Sequence, residues 1–255
     1  MAAAPSSQDS ERLTRAHVIP FVAFMAFMIA LMLVGAAVEW KHPDAPWWRQ
    51  DPAQIVYPVQ TLVTLGILVH FRRLYTFTWS WKWSLAGVAF GTVGIGFWLL
   101  PTVLYEAWGM TGKASGVLEL LGFAERKDGF DPGIFDHPAA YWTSLVLRFF
   151  RAAVVVALVE EIFWRGFLMR FICDWEGDYW KQPFGRARWL SYAIVTALFV
   201  LAHSSVDYAG AFIYGSLTYL LCVWSKSLGA CVIMHATANF LMGVYIMRTG
   251  NYGLW

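Results

Sequence analysis

Glu160, Glu161 and Arg165 fall together in the run Val-Glu-Glu-Ile-Phe-Trp-Arg, inside an otherwise apolar stretch. On a helix, Glu161 and Arg165 are four residues apart, share a face and come within ion-pair reach. Glu160 is turned by about 100° from its neighbour and has no cation at the favoured spacing. A carboxylate without a counter-ion in low dielectric is driven toward its protonated form, into the range where a group can take and return protons. Glu160 is therefore the candidate base, and Glu161 with Arg165 the candidate orienting pair. The alternative is a purely structural ion cluster near an interface.

Two further apolar runs carry polar groups. His203 closes Phe199-Val-Leu-Ala-His203, while His235 and Asn239 stand four apart in His-Ala-Thr-Ala-Asn and share a face. At about 1.5 Å per helical residue, Glu160, His203 and His235 reach overlapping depths. Three helices can bring this carboxylate, two imidazoles and an amide to one buried pocket. Glu160, His203 and His235 could instead ligate zinc, with a water in the fourth position. The metalloprotease string His-Glu-x-x-His does not occur, and Asn239 is a poor zinc ligand, so a metal-free, cofactor-free reading is favoured.

The elements that must position these groups follow from composition. Hydrophobic residues make up 58% of the 255 and charged residues 14%, whereas soluble domains carry about 25% charge. Runs long enough for a hydrocarbon core of about 30 Å occur at Val18–Val38, Ile55–Phe71 and Trp83–Leu104, and within Tyr141–Ile172. Shorter or comparable runs follow at Leu190–His203, Ala209–Trp224 and Leu228–Met247. The expected fold is all-α, a polytopic transmembrane bundle of about seven spans, or eight if Tyr141–Ile172 holds two helices. Each run is continuously apolar, without the alternation of a barrel strand.

Residues 1–17 read as a cytoplasmic tail, 18–140 as the N-terminal spans and 141–255 as the core that carries the chemistry. Arg12, Arg15, Arg72, Arg73, Lys82, Arg170, Lys181, Arg186, Arg188 and Lys226 fall on one side. Lys41, Arg49, Lys113, Arg126, Lys127 and Arg248 fall on the other, which favours an inside N-terminus. The long outer connection 105–140 reads as a lid or substrate-admitting element, or as an inert loop. A net charge of +2 with no basic stripe excludes a nucleic-acid partner. Cys173, Cys222 and Cys231 lack metal spacing and read as small buried hydrophobes. His17, His42 and His137 lie in connections and are expected to be solvated, and His70 is expected to be an interfacial anchor. Trp40, Trp47, Trp48, Trp79, Trp81 and Trp83 crowd the span ends as an interfacial belt.

Glu160-Glu161-x-x-x-Arg165, Phe199-x-x-x-His203 and His235-x-x-x-Asn239 together resemble the three motifs of the CAAX-protease and bacteriocin-processing family of intramembrane endopeptidases. The resemblance covers roughly Tyr141 to Met247. It implies that Glu160 and His203 polarise a water and that His235 and Asn239 stabilise the oxyanion. Glu161 with Arg165 would hold the site's shape, and Phe199 would pack beneath His203. It also implies a membrane-associated protein or peptide substrate, prenylated or a peptide precursor, met in the bilayer. The chain would be an integral multi-pass protein, in the plasma or inner membrane if bacterial and the endoplasmic reticulum if eukaryotic. The rival readings are a non-catalytic membrane scaffold or bacteriocin-immunity protein, and a proton-coupled transporter.

Overall fold

The structure, a computed structural model, describes residues 7–37, 52–112 and 116–255. The sequence expectations for Val38, Trp40, Lys41, His42, Trp47, Trp48, Arg49 and Lys113 lie outside the described residues.

Seven principal helices and no strand occur among the described residues. They are α1 (Ser7–Ala37), α2 (Ala53–Phe71), α3 (Trp81–Ala107), α4 (Pro138–Cys173), α5 (Trp189–Leu201), α6 (Tyr208–Ser225) and α7 (Leu228–Thr249). All but α5 are long and apolar enough to cross a membrane. The Tyr141–Ile172 stretch lies in one continuous helix, so the eighth span does not arise. α5 has 13 residues, or about 20 Å, short of a hydrocarbon core of about 30 Å. A helix can stop inside the bilayer only where protein or a cavity satisfies its end.

α1 begins eleven residues before the apolar run at Val18; Gln8, Asp9, Glu11, Arg12 and Arg15 stay exposed on it, while Ala16 and His17 are buried. Pro20 has no N–H to give the Ala16 carbonyl, and the Tyr75 hydroxyl donates to that oxygen instead, at 2.9 Å. His17, expected to be solvated, is 4% exposed between Tyr75 and Trp180. The correction has a simple cause: the helix runs on through the polar residues and carries the imidazole under the 174–188 connection. His137 does stay exposed, capping α4 by accepting from the Ala139 amide.

The buried centre is α7, packed chiefly on α3. Close approach is permitted by small residues on α3, Gly87 and Gly91 toward α7 and Gly94 toward α6. A Cβ on Gly87 would lie 2.7 Å from the Ala230 carbonyl oxygen, and one on Gly94 would lie 2.8 Å from the Tyr214 ring. α6 turns into α7 through Lys226, whose φ of 49° is left-handed, and Ser227 then caps α7 by accepting from the Ala230 amide at 3.1 Å. α1 and α2 pair at the periphery and leave Ile19, Val22, Met32 and Leu62 exposed, the surface expected of lipid-facing helices. All three cysteines are free and buried.

Candidate active site

Helix α4 is not uniform. It opens into π-helical turns at Arg151–Val156 and again at Ile162–Leu168, on either side of the α-helical Ala157–Glu161. Wide turns of this kind leave backbone carbonyls without their usual partners and re-aim side chains, often at functional positions. The Ala152 carbonyl, in the first of them, accepts a hydrogen bond from the Asn239 side-chain amide at 2.8 Å. That bond ties α7 to α4 across the site.

Glu160 and Glu161 leave this segment in different directions. Glu160 is half-buried and faces a cavity of about 210 Å³. Phe199, His203, His235 and Asn239 line the same cavity. Glu161 and Arg165 do not. They lie behind it, at 0% and 1% exposure, with Arg165 Nε 3.4 Å from Glu161 Oε2. At that separation they form an ion pair without a well-aligned hydrogen bond. Arg165 also donates to the Gly215 carbonyl at 3.4 Å and lies over the Phe199 ring.

The two histidines are fixed by their Nδ1 atoms. His203 Nδ1 is 2.7 Å from the Phe199 carbonyl oxygen, which can only accept, so Nδ1 carries a proton and donates it there, leaving Nε2 as the ring nitrogen not engaged by the backbone. His203 lies just past the end of α5, and Phe199 packs against it with ring centres 4.7 Å apart. His235 Nδ1 is 2.8 Å from Glu161 Oε1. The sequence joined Glu161 to Arg165 by spacing, but nothing in it joined Glu161 to His235, 74 residues away.

Four cavity residues with polar side-chain atoms escaped the sequence reading. Tyr214 of α6 is 3% exposed, packs edge-on to His235, and its hydroxyl has no hydrogen-bond partner among the described residues. Asp207 accepts from Trp98 Nε1 at 3.1 Å, from Ser204 Oγ at 2.5 Å and from Arg126 at 2.5 Å. Trp98 stands edge-on to His203. Trp255 completes the wall. Asp207 follows His203 by four residues and was the one of these with a readable signal, an acid beside a site histidine. Tyr214 looks like any aromatic of an apolar span.

Arg126 ties the 105–140 connection to the lining of the cavity. Its guanidinium is 8% exposed, donates to Asp207 and to the Val206 carbonyl, and its own carbonyl accepts from the Gly253 amide at 2.8 Å. Ser205 donates to Glu119 of the same connection at 3.0 Å. The connection is docked on the mouth of the cavity. Among the described residues no group of three or more His, Cys, Asp or Glu side chains is assembled that could hold a metal ion.

Counting about twenty residues outward from Arg170 spans a hydrocarbon core of about 30 Å. Glu160 stands ten residues before Arg170, about 15 Å along the helix. The cavity thus gathers a carboxylate, two imidazoles and an amide around a space large enough for water.

Residues 142–241 match the family described as type II CAAX prenyl endopeptidase, Rce1-like. The interval contains all three motifs, from Glu160 to Asn239. No curated protein and no solved structure matches the chain.

Proposed function

We propose that this chain, a multi-pass CAAX-protease-type peptidase by the family match over 142–241, cleaves a peptide bond of a membrane-associated substrate with a water activated by Glu160. The observation that carries the reading is that Glu160, His203, His235 and Asn239, from three different parts of the chain, line one cavity.

In this mechanism the water donates one hydrogen bond to the Glu160 carboxylate and the other to His203 Nε2. Glu160 takes a proton as the water oxygen attacks the scissile carbonyl carbon. The carbonyl oxygen becomes an oxyanion, facing the second amide hydrogen of Asn239 and His235 Nε2, for which the Glu161 carboxylate serves as counter-ion when the ring is doubly protonated. The unpartnered Tyr214 hydroxyl is a further donor within the cavity wall. Glu160 then returns its proton to the departing nitrogen as the carbon–nitrogen bond breaks, so acid and base are one residue. Preorganised donors in a water-poor site are worth more than the same donors in water.

No metal is required by these steps. The alternative reading keeps zinc on Glu160, His203 and His235. The non-catalytic scaffold or immunity reading keeps the polar cluster for folding alone. The deciding experiment is cleavage of membrane-anchored peptides by the purified protein and by Glu160→Gln and His203→Ala. Both variants are expected to remain folded and to lose activity by at least about 100-fold. Normal rates in both would end the assignment.

A further inference from the structure

Arg151 and Gln60 are polar groups inside apolar helices that the catalytic chemistry above leaves unused. A guanidinium within a membrane span is costly and is found where it has a partner or a task. Arg151 opens the first π-helical segment of α4, Arg151–Val156. Its Nε donates to Gln60 Oε1 of α2 at 2.9 Å, and its guanidinium lies over the Tyr57 ring, 4.0 Å from the centre. Gln60 is fully buried, and its amide nitrogen donates to the Phe24 carbonyl of α1 at 2.8 Å. A terminal nitrogen of Arg151 reaches the Met28 sulfur, one turn farther along α1, at 3.4 Å. The start of the wide turn is therefore fastened to α1 and α2, neither of which lines the catalytic cavity.

The next residue is Ala152, whose carbonyl accepts from the Asn239 side-chain amide at 2.8 Å. Three hydrogen bonds thus run from α1 through α2 and α4 to α7: Phe24 to Gln60, Gln60 to Arg151, and Ala152 to Asn239. A side-chain amide carries two hydrogens on one planar nitrogen. With one hydrogen committed to Ala152, the position of that carbonyl decides where the other points. Misplacement of a reacting group by about 1 Å can cost about 100-fold in rate.

We propose that Gln60 and Arg151 are positioning residues for the cleavage reaction. They fix the wide turn so that Ala152 holds the Asn239 amide with its free hydrogen aimed at the oxyanion. The proposal rests on the reading of Asn239 as an oxyanion donor.

The test is kinetic, on the full chain in detergent with a membrane-anchored peptide. Gln60 is the residue to change because it is uncharged, whereas the charge of Arg151 reaches Glu160 and its loss would alter the base as well. Gln60→Met keeps the volume and removes both hydrogen bonds. It is expected to lower kcat by at least about tenfold, with KM changed by less than about twofold. In an Asn239→Ala background, read in single turnover, the same substitution is expected to cost less than about twofold. Gln60→Asn keeps the amide but withdraws it by one methylene. It is expected to lower kcat by at least about threefold with the same dependence on Asn239, and it decides the matter if Gln60→Met does not fold. A normal kcat in either folded variant, a loss carried by KM, or an equal loss with and without Asn239 overturns the proposal. Cleavage at the normal rate by Asn239→Ala alone would instead remove the oxyanion role beneath it, which tells the two failures apart.

Discussion

His235 Nδ1 lies 2.8 Å from Glu161 Oε1, and this contact joins the first motif to the third through the floor of the cavity. Glu161 is fully buried and its other oxygen faces Arg165. The carboxylate thus orients the imidazole and can balance its charge. Glu161→Gln keeps the shape and loses the charge. It is expected to lower kcat by about 10–100-fold with KM little changed, as for other groups that act by orienting a reacting residue. Steady-state kinetics on a membrane-anchored peptide would check this. An unchanged kcat would mean that the charge behind His235 contributes nothing.

Arg165→Ala attacks the same pair from the other side with a different result. It leaves a carboxylate at 0% exposure without its guanidinium, a change that costs about 3–5 kcal/mol in buried pairs. Loss of folded yield and a lowered Tm are expected to accompany loss of activity. A variant that keeps its Tm but loses cleavage would instead put Arg165 in direct contact with substrate.

Chelation separates the two proposed chemistries. With Glu160 as the sole proton carrier, activity is expected to survive exhaustive treatment with chelator, and metal analysis of the active protein is expected to return less than one zinc per ten chains, a ratio of about 0.1. Loss of activity restored by added zinc would transfer Glu160, His203 and His235 to the ligand role.

How much was legible in the sequence depended on distance along the chain. The spans were readable because continuous apolar runs have a length scale set by the bilayer, and Glu161–Arg165 was readable because four residues make a helical turn. The premature end of α5 at Leu201 was not. Leu190–His203 reads as a short span, and only the bundle reveals that His203 lies past the helix end. The Asn239 bond to the Ala152 carbonyl needs a π turn that no local pattern announces. His17 was misread because polar residues before an apolar run look like a solvated tail, whereas the helix continues through them.

The glycines of α3 give a prediction with an internal control. A side chain on Gly91 would run into the Met234 carbonyl, one residue before His235, while Gly96 of the same helix has nothing within 4 Å of such an atom. Gly91→Val is expected to push α7 away, at about 1–3 kcal/mol for overpacking, and to lower activity with it. Gly96→Ala is expected to leave Tm and activity unchanged or to raise Tm slightly. Equal behaviour of the two variants would remove close packing of α3 as the device that sets the position of His235.

The docking of the outer connection rests on Arg126, which reaches Asp207 at the cavity mouth while Asp207 also holds Trp98 beside His203. Arg126→Ala removes the clamp and leaves the carboxylate free to draw water toward Trp98. Small displacements near a reacting centre cost up to about 100-fold, so kcat/KM is expected to fall by about tenfold or more, together with faster proteolysis between residues 105 and 140. Asp207→Ala breaks the same contact from below, so the double variant should lose little beyond either single one. Additive losses would mean that Arg126 and Asp207 act separately, and that the connection is held to the site by other contacts.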